Sequence, residues 1–551
     1  MKRSIPFALA GILYLTAGCL KEDIPTTVAT EAMLSESEEA LQGMLNGIPA
    51  QMVTPYFSWN GTRSSNDYDF SYPAEMVIMD TVAGELVLNG RDNYDWFLYW
   101  IRNNTSMGET AGPVYKTWVA YYKYIRTCNN LAGIIGENPE KEGSQIILGH
   151  ALAFRAFFYL NLVRLYGYAP VTDPAIKSTY APSADISNLT VPIVVENMDI
   201  NQTRNNPRVT VEAAYEQIFS DLDRAEALLE GKTTTGKTFP DLAVVYGLKA
   251  RAYLERGSAG EDGAFDKAAN YAQRAIAAFG GSPLTQDQWE SPTTGFNNYA
   301  ANSNSWMWYL PVDTDNVHNL ASFVSHMSNE ETWTSYGWSS ARGINKEVYQ
   351  LIPDTDWRKH SWIDPRKTGY YDYKTNRDVW GDTNSTEKGL PAYSNLKFRP
   401  AGGECTDYKE GGAIEVPLMR VEEMYLIRAE ALAMSGDLSG GKNVLTSLIR
   451  TRNPEYTCEA DSAVDFQKEV FFQKRVEFWG EGIIFFDCKR LGTGFHLGYS
   501  GTNALARYRY NVTGVSPSWN FVIPRSEILG NPILDGWNNP DPSNVLTIWT
   551  E

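Results

Sequence analysis

The chain has 551 residues, of which 48 are basic and 66 acidic, for a net charge of −18. A hydrophobic fraction of 43% supports a large core and excludes wholesale disorder; the acidic balance, without any Lys/Arg cluster, argues against a nucleic-acid partner. Aromatic residues reach 13%, with 16 Trp and 32 Tyr, an excess that a core or a binding surface has to explain.

Lys2 and Arg3 precede an apolar run, Ile5 to Leu15, that is too short to span a bilayer as a stable helix. It leads into Thr16-Ala17-Gly18-Cys19, which resembles a bacterial lipobox with Thr16 in place of the usual aliphatic residue. Residues 1–18 are therefore expected to be a lipoprotein signal peptide and Cys19 the lipidated residue of the mature chain; ordinary secretory cleavage after Gly18 is the alternative. Lys21-Glu22-Asp23 resembles the surface-export signal of Bacteroidetes lipoproteins, and equally suits a solvated tether over residues 19–30. Without Lys2 and Arg3 the chain keeps 46 bases against 66 acids, a charge of −20, so its body does not itself adhere to an anionic membrane. No later segment has about 18 uninterrupted apolar residues, which leaves acyl chains as the expected attachment. Cys128, Cys405, Cys458 and Cys488 are too sparse for a disulfide scaffold, although one or two bridges stay open.

Helical periodicity dominates the mature chain. Apolar residues recur at helical spacing over Val114–Ile135, Gln145–Tyr166, Val211–Leu229, Leu242–Leu254, Phe265–Phe279, Val421–Met434, Gly440–Arg450 and Val464–Phe478. Two consecutive pairs read as tetratricopeptide-type hairpins, in which small residues allow close helix approach. Tyr246, Ala250 and Tyr253 face Ala268 and Ala275 in the first; Ala429, Leu432 and Gly436 precede Gly441, Leu445 and Leu448 in the second. The fold class expected is mainly α: one domain over 31–551, with helical scaffold at about 31–54, 107–279 and 416–551. A loop-rich variable insertion, rich in Gly, Pro, Asn and Trp, occupies about 280–415, and a second irregular stretch runs from Pro55 to Ser106.

Five segments in order resemble the SusD/RagB family of nutrient-binding outer-membrane lipoproteins: RAFFYLNLVRLYGYAP (Arg155 to Pro170), RVTVEAAYEQIFSDLDRAEALL (Arg208 to Leu229), VPLMRVEEMYLIRAEALAMSG (Val416 to Gly436), KRVEFWGEGIIFFDCKRLG (Lys474 to Gly492) and IPRSEILGNPILDGWNNP (Ile523 to Pro540). One departure is Ile484, where the family pattern has an arginine. The resemblance implies a tetratricopeptide-like scaffold and a surface lipoprotein in the outer membrane, facing the cell exterior. It also implies that the protein partners a SusC-like TonB-dependent transporter, captures its substrate, commonly a glycan, and has neither catalytic activity nor a cofactor. In the fourth block, Arg475, Glu477, Glu481, Asp487 and Arg490 alternate in sign beside Phe478, Trp479, Phe485 and Phe486, which reads as a semi-buried salt-bridge network. Flanking arginines would keep Glu477 and Glu481 ionised, against a catalytic carboxylate pair.

Seven Trp fall between Trp289 and Trp362. Indoles stack on the C–H faces of sugar rings, so Trp306, Trp308 and Tyr309, then Trp333 and Trp338 near Arg342, are glycan-binding candidates; the competing use is packing under the insertion. Trp306 and Trp308, two apart, would share a face if the segment is extended. By analogy of position with the family, Trp96 and Trp100 join them, with Asn93 as a polar candidate and Asn60, Arg63 and Asp67 as weaker ones that loop solvation would equally explain. His150, His318, His326, His360 and His496 form no HxxxH pair, and no GxGxxG, Walker or GxSxG motif is present, so no metal is expected. Asp313-Thr314-Asp315-Asn316 reads as a hydrated turn rather than a calcium loop. The sequence thus points to glycan capture, with peptide capture on the same scaffold or a surface glycoside hydrolase as alternatives.

Overall fold

A computed structural model describes residues 34–35, 37–55, 58–59, 62–63, 67–89, 97, 107–291, 294–334, 336–366 and 391–551. The signal peptide, Cys19 and the tether lie outside the described residues. The fold is mainly α. Long helices α1 (Glu38–Val53), α2 (Tyr72–Val82), α3 (Gly112–Ile135), α4 (Glu142–Tyr166), α5 (Val211–Leu229), α6 (Leu242–Ser258) and α7 (Ala264–Phe279) form the first half of the scaffold. After the irregular middle, which includes the short α8 (Lys346–Leu351), come α9 (Val421–Met434), α10 (Leu438–Ile449), α11 (Ala463–Glu477) and α12 (Ile484–Leu491). Strands are few and short: β1 (Val87–Leu88) pairs antiparallel with β3 (Arg342–Gly343), β2 (Trp306–Pro311) with β4 (Glu415–Arg420), and β5 (Phe495–His496) with β6 (Asn511–Val512).

The helix starts are set by their capping residues. Thr210 accepts the Ala213 amide at the head of α5, Asp241 that of Val244 at α6, and Ser462 that of Asp465 at α11. Small residues set the hairpins: a Cβ on Gly441 of α10 would fall 2.7 Å from the Ala429 carbonyl oxygen of α9, so the two backbones approach only because glycine is there. Helix α4 is the one described helix long and apolar enough to cross a membrane, and it is instead the hub of the core, buried along nearly its whole length. Its Arg155 is held by Asp221 of α5 through two hydrogen bonds, at 2.8 and 2.6 Å. Cys128, Cys458 and Cys488 are free thiols.

The network expected in the fourth block is present, fully buried, and reaches well beyond that block. Glu477 accepts from Arg420 at 3.1 Å, from Arg452 at 3.1 and 3.2 Å, and from Arg358 at 3.2 Å. Glu481 takes Arg420 in two bonds of 2.9 Å, and Lys397 at 2.6 Å. Glu422 of α9 faces Arg420 and Arg452, and Asp356 faces Arg358. Four bases thus meet four acids with no formal charge left over, the condition under which such burial is tolerable. A second knot joins Arg490 and Lys474 to Glu430 and Asp487, while Arg475 pairs with Glu85 after α2. Ile484 itself is apolar core, so the departure from the family pattern leaves no charge unmatched there.

The tryptophan excess turns out to be mostly packing. Trp306 and Trp308 are 0% exposed. Strand β2, itself part of the insertion, packs on α4, and its register with β4 shifts on either side of Trp308, which breaks the alternation of faces. Trp308 meets Phe154 and Phe157 of α4 edge-on, with ring centroids 5.2 and 4.9 Å away, and its Nε1 donates to the Thr238 carbonyl at 3.2 Å. The expectation of two ligand platforms here therefore gives way to core packing. Trp289, Trp357 and Trp362 are buried too, and fasten the insertion to the scaffold: Trp357 donates to the Thr451 carbonyl, and Trp362 packs on Trp479.

Trp308→Ala should cost about 3–5 kcal/mol in urea unfolding; a loss below about 1 kcal/mol would count against its burial. Glu477→Gln, which strands three arginines, should cost about 3–5 kcal/mol, read the same way. Burial alone would raise the carboxyls of Glu477, Glu430 and Asp487. The cations against them, Arg452, Arg420 and Arg358 for the first and Arg490 and Lys474 for the others, instead hold all three below the ordinary carboxylate range. Folded-state values below the unfolded values of about 4 give stability that is complete above that pH and lost as pH falls through the folded values. Asp80, pushed up by burial, works in the opposite sense and gains stability as pH falls toward 4. Unfolding free energy should therefore hold or rise slightly from pH 7 to 5 and collapse below about pH 4; a steady decline beginning at pH 7 would contradict this assignment.

Candidate functional site

The segment before α2 and the first part of the insertion meet at a wall of rings and polar groups. Ser322 caps a helical turn, Phe323–Met327, which presents His326. The imidazole is sandwiched between Phe70, 5.4 Å away at 13°, and Tyr336, 4.6 Å away at 22°, with Phe97 edge-on at 4.9 Å. His326 Nε2 lies 2.6 Å from the Asp67 carbonyl oxygen; a carbonyl only accepts, so Nε2 carries the proton. The Tyr336 hydroxyl donates to Asp67 Oδ2. Asp67 is half-buried, and its Oδ1 has no hydrogen-bond partner among the described residues. The rings themselves are buried, His326 and Phe97 at 1% exposure, Phe70 at 5% and Tyr336 at 6%, so they back the site rather than face it; the Asp67 carboxylate, fixed through one oxygen and open at the other, is the group that can accept a hydroxyl from a ligand.

Groups behind the wall keep it in place. Glu331 is buried, and its carboxylate accepts the backbone amides of Thr334 at 2.8 Å and Gly337 at 3.1 Å, which folds the loop bearing Trp333 and Tyr336. Burial raises the Glu331 carboxyl, opposed by those same hydrogen bonds. Arg342 on β3, 1% exposed, donates to the His326 carbonyl, and its own carbonyl accepts from Asn329 at 2.8 Å. It is a support behind the wall rather than an exposed polar contact. Trp333 is half-buried, with its Nε1 turned inward to Ser325 Oγ at 2.9 Å.

The expected residues thus separate. Asp67 and Arg342 both bond to His326, and Trp333 reaches the neighbouring Ser325. Tyr309 belongs elsewhere, stacked on Tyr299 at 4.2 Å with its amide bonded to the Lys237 carbonyl. Trp338 stands on the turn Tyr336–Ser339, with its side chain outside the described residues. Asn93, Trp96, Trp100 and Asn60 also lie outside them, and Arg63 has only its backbone described, paired as a strand residue with Ser58. His326 and Tyr336 went unremarked in the sequence; the one signal was a histidine and a tyrosine inside the same aromatic-rich run. Asp313 Oδ1 accepts the amides of Asp315 and Asn316, so that segment is a hydrogen-bonded turn.

A family described as starch-binding and associating with the outer membrane matches residues 70–254, and the SusD family matches residues 282–524. SusD-like protein P2 of Formosa agariphila is 25% identical over 453 residues, which cover 78% of this chain and 79% of that protein. A SusD-like carbohydrate binding protein from Bacteroides vulgatus shares the fold with a TM-score of 0.69 at 22% identity, covering 90% of this chain and 97% of the other. A SusD superfamily protein from Bacteroides thetaiotaomicron does so with a TM-score of 0.65 at 20% identity, covering 92% and 100%. The two family matches between them take in most of both halves of the scaffold and the stretch that bears His326, Trp333 and Tyr336, and the chain belongs to the SusD/RagB family.

Proposed function

We propose that this protein is a non-catalytic cell-surface binding protein. It captures a glycan at the partly exposed Asp67 and Trp333, backed by the buried His326 and Tyr336, and delivers it to a SusC-like TonB-dependent transporter. In this reading Cys19 carries the lipid that holds the protein to the outer membrane, facing the exterior, and Trp96, Trp100, Trp338 and Asn93 are further glycan contacts. The observation that carries it is the half-exposed Asp67 carboxylate, fixed by Tyr336 beside a stacked rank of rings. The starch-binding description of the matching family and the carbohydrate-binding description of the Bacteroides vulgatus structure lend support. Against hydrolysis by the Glu477 and Glu481 pair stands their burial among arginines, which leaves a substrate no access and holds Glu477 ionised.

Titration calorimetry against a panel of polysaccharides tests this. Asp67→Ala should weaken binding by about 1.5–3 kcal/mol, roughly tenfold to a hundredfold, with the melting temperature nearly unchanged. Tyr336→Phe, which frees the carboxylate without removing it, should cost less. Binding to peptides with no binding to any glycan, or release of reducing ends by the purified protein, would overturn the reading.

A further inference from the structure

A cavity of about 760 Å³, lined by none of Asp67, His326, Trp333 and Tyr336, forms where α8, α11 and the β5–β6 hairpin converge, and is within the roughly 300–1,000 Å³ of small-ligand sites. Its walls are mixed. Phe471 of α11 and Phe495 of β5 contribute half-buried phenyl rings, and Leu351 and Val464 are lining residues that are 65% and 58% exposed.

Three polar side chains lining the cavity keep an unused atom. Arg475 gives its Nε to both Glu85 oxygens, at 2.9 and 3.1 Å, and Nη2 approaches the same carboxylate. Its Nη1 has no partner among the described residues, and the side chain is 22% exposed. His496 places Nδ1 3.0 Å from Glu347, leaving Nε2 without a partner among the described residues. Gln467 donates its amide to Glu430 at 2.9 Å and leaves its carbonyl oxygen as an acceptor.

Of the charges around the cavity, Arg475 is matched by Glu85 and Lys468 by Asp465, while Glu347 faces His496, which matches it only when protonated; the ionised side chains that line the cavity, Glu85, Glu347, Lys468 and Arg475, sum to zero. A net-charged ligand gains little in such a place. An uncharged molecule with hydroxyls around an apolar ring face uses both the spare donors and acceptors and the phenyl rings. We infer that this cavity is a second saccharide-binding site, for a neutral sugar residue, built on the scaffold rather than on the wall around Asp67. The ligand class rests on the reading of the protein as a glycan binder. The site itself rests on the cavity and its unused polar atoms. Two sites on one chain raise the effective concentration of a polymer at each, so a long glycan is held more tightly than either site alone would hold it.

Maltohexaose, cellohexaose, xylohexaose, mannohexaose and laminarihexaose are the probes, titrated into the full mature chain and two variants. Val464→Trp fills the cavity from an exposed position; Asp67→Ala disables the wall. The wild type should bind two molecules of at least one hexaose per chain and each variant one, and His496→Ala should weaken the site that survives in Asp67→Ala several-fold. One molecule per wild-type chain, unaffected by Val464→Trp and lost in Asp67→Ala, would overturn the second site while leaving the first intact. No binding of any hexaose by any of the proteins would overturn both.

Discussion

Glu477 is the residue on which the arrangement depends. It lies at the end of α11 with no exposure, and three arginines converge on it from different parts of the chain. Arg358 comes from the insertion, Arg420 from the end of β4, and Arg452 from just beyond α10. A carboxylate buried in this way is tolerable only while all three are in place, and each arginine in turn needs its acid. Asp356, Glu422 and Glu481, with Lys397 as the fourth base, complete the balance. Loops that have little hydrogen-bonded structure of their own are in this way fixed to the helices by charge, in addition to the short β1–β3 and β2–β4 ladders and the packed tryptophans.

The consequence for binding runs through one short strip. Lys397 reaches Glu481 and the carbonyls of Glu477 and Trp479, while two residues earlier Asn395 bonds the Met327 carbonyl and the Arg342 carbonyl accepts the Asn395 amide. Two residues later Arg399 pairs with Glu330. A single strand of chain therefore ties the buried charges to the residues behind His326, Trp333 and Tyr336. The wall is rigid because its support is anchored in the core, and preorganised rings and carboxylate avoid the ordering cost that a mobile loop would incur on binding.

The helices were legible in the sequence because their signal is local: apolar spacing, a capping Thr, Asp or Ser, and a glycine where backbones meet. That the acids of the Lys474–Gly492 block are paired was legible too, since charges among so many aromatics permit little else. Their partners were not. Arg358 and Lys397 lie some hundred residues away in an irregular region, where no periodicity signals a contact. The tryptophans show the same limit. Composition marked the run from Trp289 to Trp362 as unusual, but whether an indole faces solvent or core depends on what covers the strand. Trp308 is covered by Phe154 and Phe157 of α4, far away in sequence. Asp67 was visible only as a polar residue in a suitable region, and His326 and Tyr336 acquire a role only once the fold stacks them.

The central claim is that the ligand meets the protein at the wall around Asp67. Hydrogen exchange read by mass spectrometry, on the mature protein with and without the polysaccharide it binds, tests that most directly. The account predicts added protection in peptides covering residues 67–70 and 323–343, with none at 306–311, where β2 is already buried. Protection confined to other surfaces, with 67–70 and 323–343 unchanged, would contradict it.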